Sequence, residues 1–207
     1  MSAGRSSGAR SASGRIQIID AAIASIQDIG IYRSSTNEIA RRAEVSWGAL
    51  QYHFGTREKL MLAVLQELDR RFLEHVNASK VEGDTMEARL TSLYDILGRR
   101  YDSPVWLVRF QILLDLQHDP DTSADAMAEV AAHAKKAQAS VQRLLREAIG
   151  GAPSRAQTDE LLHAVRGFAI SQQVSRAIPI PGERRAPGEA VRRYLHGLAL
   201  AYEADAG

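Results

Sequence analysis

A chain of 207 residues, 45% hydrophobic and 25% charged, is long enough for one large domain or two small ones and needs no metal or disulfide staple to bury its core. It has no cysteine, which excludes disulfides, thiolate zinc sites and cysteine nucleophiles and fits a reducing cytoplasm. The net charge of +1 points to no polyanion by itself, but residues 1–60 hold eight Lys/Arg against five Asp/Glu, a basic front suited to a nucleic-acid contact.

No apolar run approaches the ~20 residues that span a bilayer, so no membrane role is expected. Residues 1–14, MSAGRSSGARSASG, have two arginines, no acid and almost nothing to bury, and are predicted as a disordered basic tail, either solvated or reaching a DNA groove. They also lack the apolar segment of a secretory signal. From Arg15 onward, Ile19, Ala22, Ile23, Ile26 and Ile29 recur at the three-and-four spacing of one buried helix face, and Gly30 closes that helix. Ser35 and Glu38 have the spacing of a capping box, which opens a short helix over Thr36–Ala43. Ser46 is a natural N-cap for a third, Trp47–Phe54, with Leu50 and Phe54 on its inner face. Gly55 breaks it, and Thr56 caps a fourth helix running from Arg57 through Met61, Val64, Leu65, Leu68 and Phe72. Two brief helices joined by a tight turn and braced by longer ones make a helix-turn-helix.

The remainder reads as helix after helix. One spans about Thr85–Asp102, with Leu90, Leu93, Leu97 and Tyr101 in step. Pro104 suits the first turn of the next, whose run Val105–Leu114 is apolar on nearly all sides and is expected to be buried. Further helices follow over about Thr122–Ile149, Ser154–Ala177 and Pro187–Ala204. The sum is about nine helices and no sheet, an all-α chain. It divides into the tail 1–14, a helix-turn-helix domain 15–60, and a larger helical domain 61–207.

The front of the chain resembles the TetR family of bacterial transcription regulators. The resemblance rests on Gly30, Ser34–Ala40, Val45–Leu50 and His53–Leu60. Three positions depart from the family pattern: Glu44 stands where glycine is usual, Gln51 where tyrosine is, and Trp47 where a smaller or polar residue is. The resemblance implies that Trp47–Phe54 enters the major groove. Trp47, Gly48, Ala49, Gln51, Tyr52 and His53 are then its outward residues, joined by Asn37 from the second helix. Ala49 suits a thymine methyl group, and Gln51 and Asn37 suit adenine. Thr36, Ser46, Tyr52, Arg57 and Lys59 are expected to grip phosphate. Arg41 and Arg42 are a basic pair that is as well explained by a solvated face.

Tight specific binding needs two such heads about one helical turn (~34–36 Å) apart, so a homodimer on an inverted-repeat operator in double-stranded DNA is expected. Leu161, Leu162, Val165, Phe168 and Ala169, with Val191, Leu195, Leu198 and Tyr202, are read as its four-helix interface, the alternative being that they face the protomer's own core. The resemblance also implies a cytoplasmic repressor released by a small apolar or amphipathic effector among the middle helices. Leu97, Tyr101, Trp106, Arg109, Phe110 and Leu113 are its candidate lining. Arg109, inside an apolar helix, requires an anion, whether Asp95, Asp102, another acid or a ligand carboxylate. Two other readings compete. The run His118-Asp119-Pro120-Asp121 with His133 has the residue types of a metal-dependent hydrolase, but no catalytic motif accompanies it, so no catalytic residue, metal or cofactor is assigned. A helical dimeric adaptor without DNA binding would be indifferent to salt.

Overall fold

Small polar side chains open the helices by accepting a free N–H of the first turn. Ser35 does this for Glu38 at 3.2 Å, Ser46 for Ala49 at 3.1 Å, and Thr56, Thr85 and Ser123 do it further on. The computed structural model describes residues 4–102, 105–178 and 188–205, with the side chains of 4–12, 99–102, 176, 177, 188 and 205 outside that description. Among the described residues there are nine helices and no strand: α1 Gly4–Ile29, α2 Thr36–Arg42, α3 Trp47–Phe54, α4 Arg57–Ala78, α5 Met86–Asp102, α6 Val105–His118, α7 Ala124–Ile149, α8 Arg155–Ala177 and α9 Gly188–Asp205. None of them is long and apolar enough to cross a membrane. Pro104 and Pro187, read above as helix openers, lie outside the described residues.

Two local readings differ from what is found. The helix expected from Arg15 starts at Gly4, because residues ahead of an established helix are added by propagation, which costs far less than a new nucleus. At Ser35 only half of the capping box forms. The Glu38 carboxylate turns to Arg41 and Arg42 instead of its own helix start, while a complete box closes at Ser154 and Gln157.

Packing divides the chain into two units. The first takes α1, α2, α3, the front of α4, α6 and the front of α7. Ile18, Ile19, Ala22, Ile23 and Ile26 of α1 meet Ile39, Leu50, Leu60 and Met61 there, and α6 adds Val108, Ile112 and Leu116. Ile29 is only half-buried. The sixth helix is not buried all round: Phe110 and Leu114 face solvent, since α6 packs against this core along one stripe only.

The second unit takes the remainder of α4 and α7 together with α5, α8 and α9. Its core holds Leu90, Leu93 and Leu97 of α5, Leu144 and Leu145 of α7, and the stripes Leu161–Val165 and Val191–Leu195–Tyr202. The residues read as a dimer interface therefore belong mostly to the protomer's own interior. Leu161, Val165, Ala169, Val191, Leu195, Leu198 and Tyr202 are buried, and Leu162 and Phe168 pack against them. Helical periodicity marks a buried stripe without saying what buries it.

Candidate nucleic-acid interface

The third helix is held rigidly from within. Leu50 and Phe54 are 2% and 5% exposed, anchored in the first unit's core, and the Arg15 guanidinium lies 5.3 Å from the Phe54 ring centre. Its opposite face is open. Trp47 is 55% exposed and Tyr52 83%, Gly48 and Gln51 are exposed between them, and Ala49 and His53 are half-buried. Ser46 is exposed but spends its oxygen on the Ala49 N–H. His53 sits edge-on to Tyr52, with ring centres 5.5 Å apart. Asn37 and Lys59 are exposed and Thr36 half-buried.

The connection between α2 and α3 is a tight turn, with the Val45 N–H donating to Ala40 O at 3.1 Å. Gln17 of α1 clamps it by donating to Ala43 O at 2.9 Å. Glu44 takes a φ of 53°, the left-handed conformation that glycine usually supplies at this point. Arg41 and Arg42 both donate to Glu38, and Arg42 also reaches Asp28 at 2.7 Å. Those hydrogen bonds, from Arg41 first and then Arg42, pull the Glu38 carboxyl down to about 2. The basic pair is thus engaged along its own surface.

Arg57, expected on phosphate, turns inward and donates to Ser34 O at 2.7 Å and Ile31 O at 3.2 Å. No local signal marks this, because the partners lie far back in the chain. Gln111, whose Oε1 accepts the Ile31 N–H at 3.0 Å, is likewise absent from the sequence-based set; its one sign is a glutamine amid an apolar helix.

The six effector candidates are divided between the two units. Leu97 lies in the second unit's core, the Tyr101 side chain is outside the described residues, and Leu113 packs against the first unit's core. Trp106 and Phe110 stack nearly parallel, 5.5 Å apart. Arg109 pairs with Asp69 of α4 at 2.9 Å, an acid other than the two named in the sequence. Both border a small cavity with Gln66, Glu129 and His133, where Gln66 donates to the Glu129 carboxylate. His118 is bonded to Leu114 O and Asp119 accepts the Asp121 N–H, which makes that run a helix-end turn. Among the described residues no three His, Cys, Asp or Glu side chains gather as metal ligands.

Two short helices at a tight turn, with the second exposing a polar and aromatic face, form a helix-turn-helix. Residues 18–64, just under a quarter of the chain, match the family model described as bacterial regulatory proteins, tetR family. Over 103 residues it is 32% identical to the HTH-type transcriptional regulator BetI of Cronobacter sakazakii, covering 49% of this chain and 50% of that one. Over 78 residues it is 36% identical to the A-factor receptor protein of Streptomyces griseus, covering 38% of this chain and 25% of that one. The match spans half or less of the length of these curated relatives. A solved member of the TetR family from Streptomyces coelicolor A3 is 26% identical, with a TM-score of 0.62 over 90% of this chain and 98% of that one. A TetR transcription regulator from Haloarcula marismortui, 19% identical, shares the fold with a TM-score of 0.66 over 92% of this chain and 98% of that one.

Proposed function

We propose that this chain is a cytoplasmic transcriptional regulator, a repressor, that binds an inverted-repeat operator as a homodimer and is released by a small effector. The observation that carries the reading is α3, fixed inward by Leu50 and Phe54 while Trp47, Gln51 and Tyr52 stand in solvent. An exposed aromatic pair on a surface helix costs solvation unless a partner covers it, and a major groove accepts a helix of this size. Trp47, Gly48, Ala49, Gln51 and His53, with Asn37 of α2, are assigned to base edges. Ser46, Thr36, Tyr52 and Lys59 are assigned to phosphates.

Residues 15–60 then act as the reading domain, and 61–207 as the effector and dimer domain. The dimer is assigned to the solvent faces of α8 and α9, opposite the buried stripes. Val174, Tyr194 and Leu200 are exposed there, beside Gly197 and Ala201, which permit close helix approach. The effector is assigned to α4, α6 and α7 around Arg109. With Asp69 already on Arg109, an apolar or amphipathic molecule suits the site better than an anion.

Selection of bound fragments from a random duplex pool tests the reading. An enriched inverted repeat, its half-sites centred about 34 Å or a multiple apart, is expected. Enrichment of no sequence would refute it.

A further inference from the structure

Five polar contacts link the turn ahead of α2, the start of α4, α6 and the residue ahead of α7, with Arg57 of α4 at their centre. Gln111 Oε1 accepts the Ile31 N–H at 3.0 Å. Arg57 donates from one guanidinium nitrogen to Ser34 O at 2.7 Å, and from the other to Ile31 O at 3.2 Å. That second nitrogen also lies 3.4 Å from Asp115 Oδ2. Glu58 accepts the Ser123 N–H at 2.7 Å. The turn is otherwise held by Ser34, whose hydroxyl is bonded to Gly30 O and to Ser25 Oγ, both at 2.9 Å.

Carbonyls in a turn have no ladder to satisfy them; here Ser34 O accepts from Arg57, and Ile31 O accepts from Arg57 as well as from the Ser34 N–H at 3.2 Å. Ser34 and Ile31 are buried, and Ser35, next in sequence, caps α2. Whatever fixes this turn fixes the direction in which α2 leaves it, and α3 packs on α2. Only a planar fork reaches two carbonyls and a carboxylate together; an ammonium is a point charge on a flexible stem.

Resting on the DNA-binding reading above, we propose that Arg57 is a positioning residue. Braced by Asp115 and aided by Gln111, it sets the pose of α2 and α3 from α6 and does not grip phosphate. The two roles give opposite signs in one variant. If Arg57 held a phosphate, Asp115→Asn would free it from a competing acid and tighten DNA binding. As a brace, Arg57 loses its anchor in Asp115→Asn and binding weakens.

The test uses the full chain with the duplex enriched from the random pool, together with amide hydrogen exchange without DNA. Asp115→Asn and Arg57→Lys are each expected to weaken binding about tenfold, the size of one or two lost charged hydrogen bonds. The slope of log affinity against log salt should stay unchanged, whereas removing a phosphate contact lowers it by about one. Exchange at Ile31 and Ser34 should rise in both variants and stay constant in α8, which also excludes general unfolding. Full binding by Arg57→Lys, tighter binding by Asp115→Asn, or unchanged exchange at Ile31 and Ser34 would each overturn the proposal. Failure of the underlying DNA reading is a separate result, since the unaltered chain then retains no duplex while the exchange measurement still decides the brace.

Discussion

Glu44 holds a left-handed backbone with φ 53° in the turn before α3, where the Cβ of an L residue crowds the next carbonyl oxygen at a cost of about 1 kcal/mol. Glu44→Gly is expected to raise the unfolding free energy by about 1 kcal/mol in a urea melt. An unchanged or lower value would show that the Glu44 side chain contributes enough to offset the strain. Gly48 presents the converse. Its φ is not in the left-handed region, and an added Cβ would meet nothing closer than Ser46 Oγ at 3.9 Å, so nothing inside the protein requires glycine there. Gly48→Ala should stabilise the fold by about 0.5–1 kcal/mol, the usual gain on replacing a helix glycine. If DNA approaches the backbone here, the same variant weakens operator binding about tenfold, the size of one lost base contact. Stabilisation without loss of binding would move the close approach elsewhere. At this scale burial was readable and partnership was not. Leu50 and Phe54 face inward as their four-residue spacing requires, yet nothing near Arg57 in the sequence indicates carbonyls 23 and 26 positions back.

The helices themselves were legible, because an N-cap serine and an apolar period are local properties. What the period could not supply was the identity of the covering surface. Stripe positions such as Leu161 and Leu195 have the same signature whether they meet another protomer or their own core; here Leu161, Leu195 and Tyr202 meet the core. The run on α6 reads as apolar throughout, yet Phe110 and Leu114 stay largely in solvent, while Val108, Ile112 and Leu116 are buried in the first unit's core with Val105 and Leu113 packed against it. Along α4, Glu67 is 7% exposed and accepts from Arg70 and Arg71, and Arg71 also holds Asp20 of α1. The hydrogen bond from Arg70, with that from Arg71, lowers the Glu67 carboxyl from 4.5 to about 2 against the opposing effect of burial. A depressed folded value means the contribution is complete above pH 4.5 and is lost as pH falls toward 2. With both arginines partly in solvent, it amounts to about 1–2 kcal/mol. Urea melts at pH 5 and pH 3 should show that step in the unaltered protein and a smaller one in Glu67→Gln. An equal step in both would place the acid sensitivity elsewhere.

At the scale of the whole molecule, the proposed operator binding requires two copies of α3 acting on one duplex. The charge bias of residues 1–60 and the motif at α2 and α3 point to the proposed partner and mode, but among the described residues the protomer presents one such face, on α3. Leu200 is 55% exposed on α9, so Leu200→Glu is expected to shift the chain toward monomer in sedimentation while leaving its melt nearly unchanged. The same variant should lose operator affinity with Trp47, Gln51 and Tyr52 untouched. Intact dimers would remove α9 from the interface. The most direct measurement titrates the unaltered protein onto the enriched duplex, and onto the same duplex with one half scrambled, between about 50 and 200 mM salt. The account predicts one dimer per duplex, a large loss of affinity when either half is scrambled, and steep weakening with salt as counterions compete for the phosphates. Equal affinity for intact and half-scrambled duplexes, or affinity indifferent to salt, would contradict it.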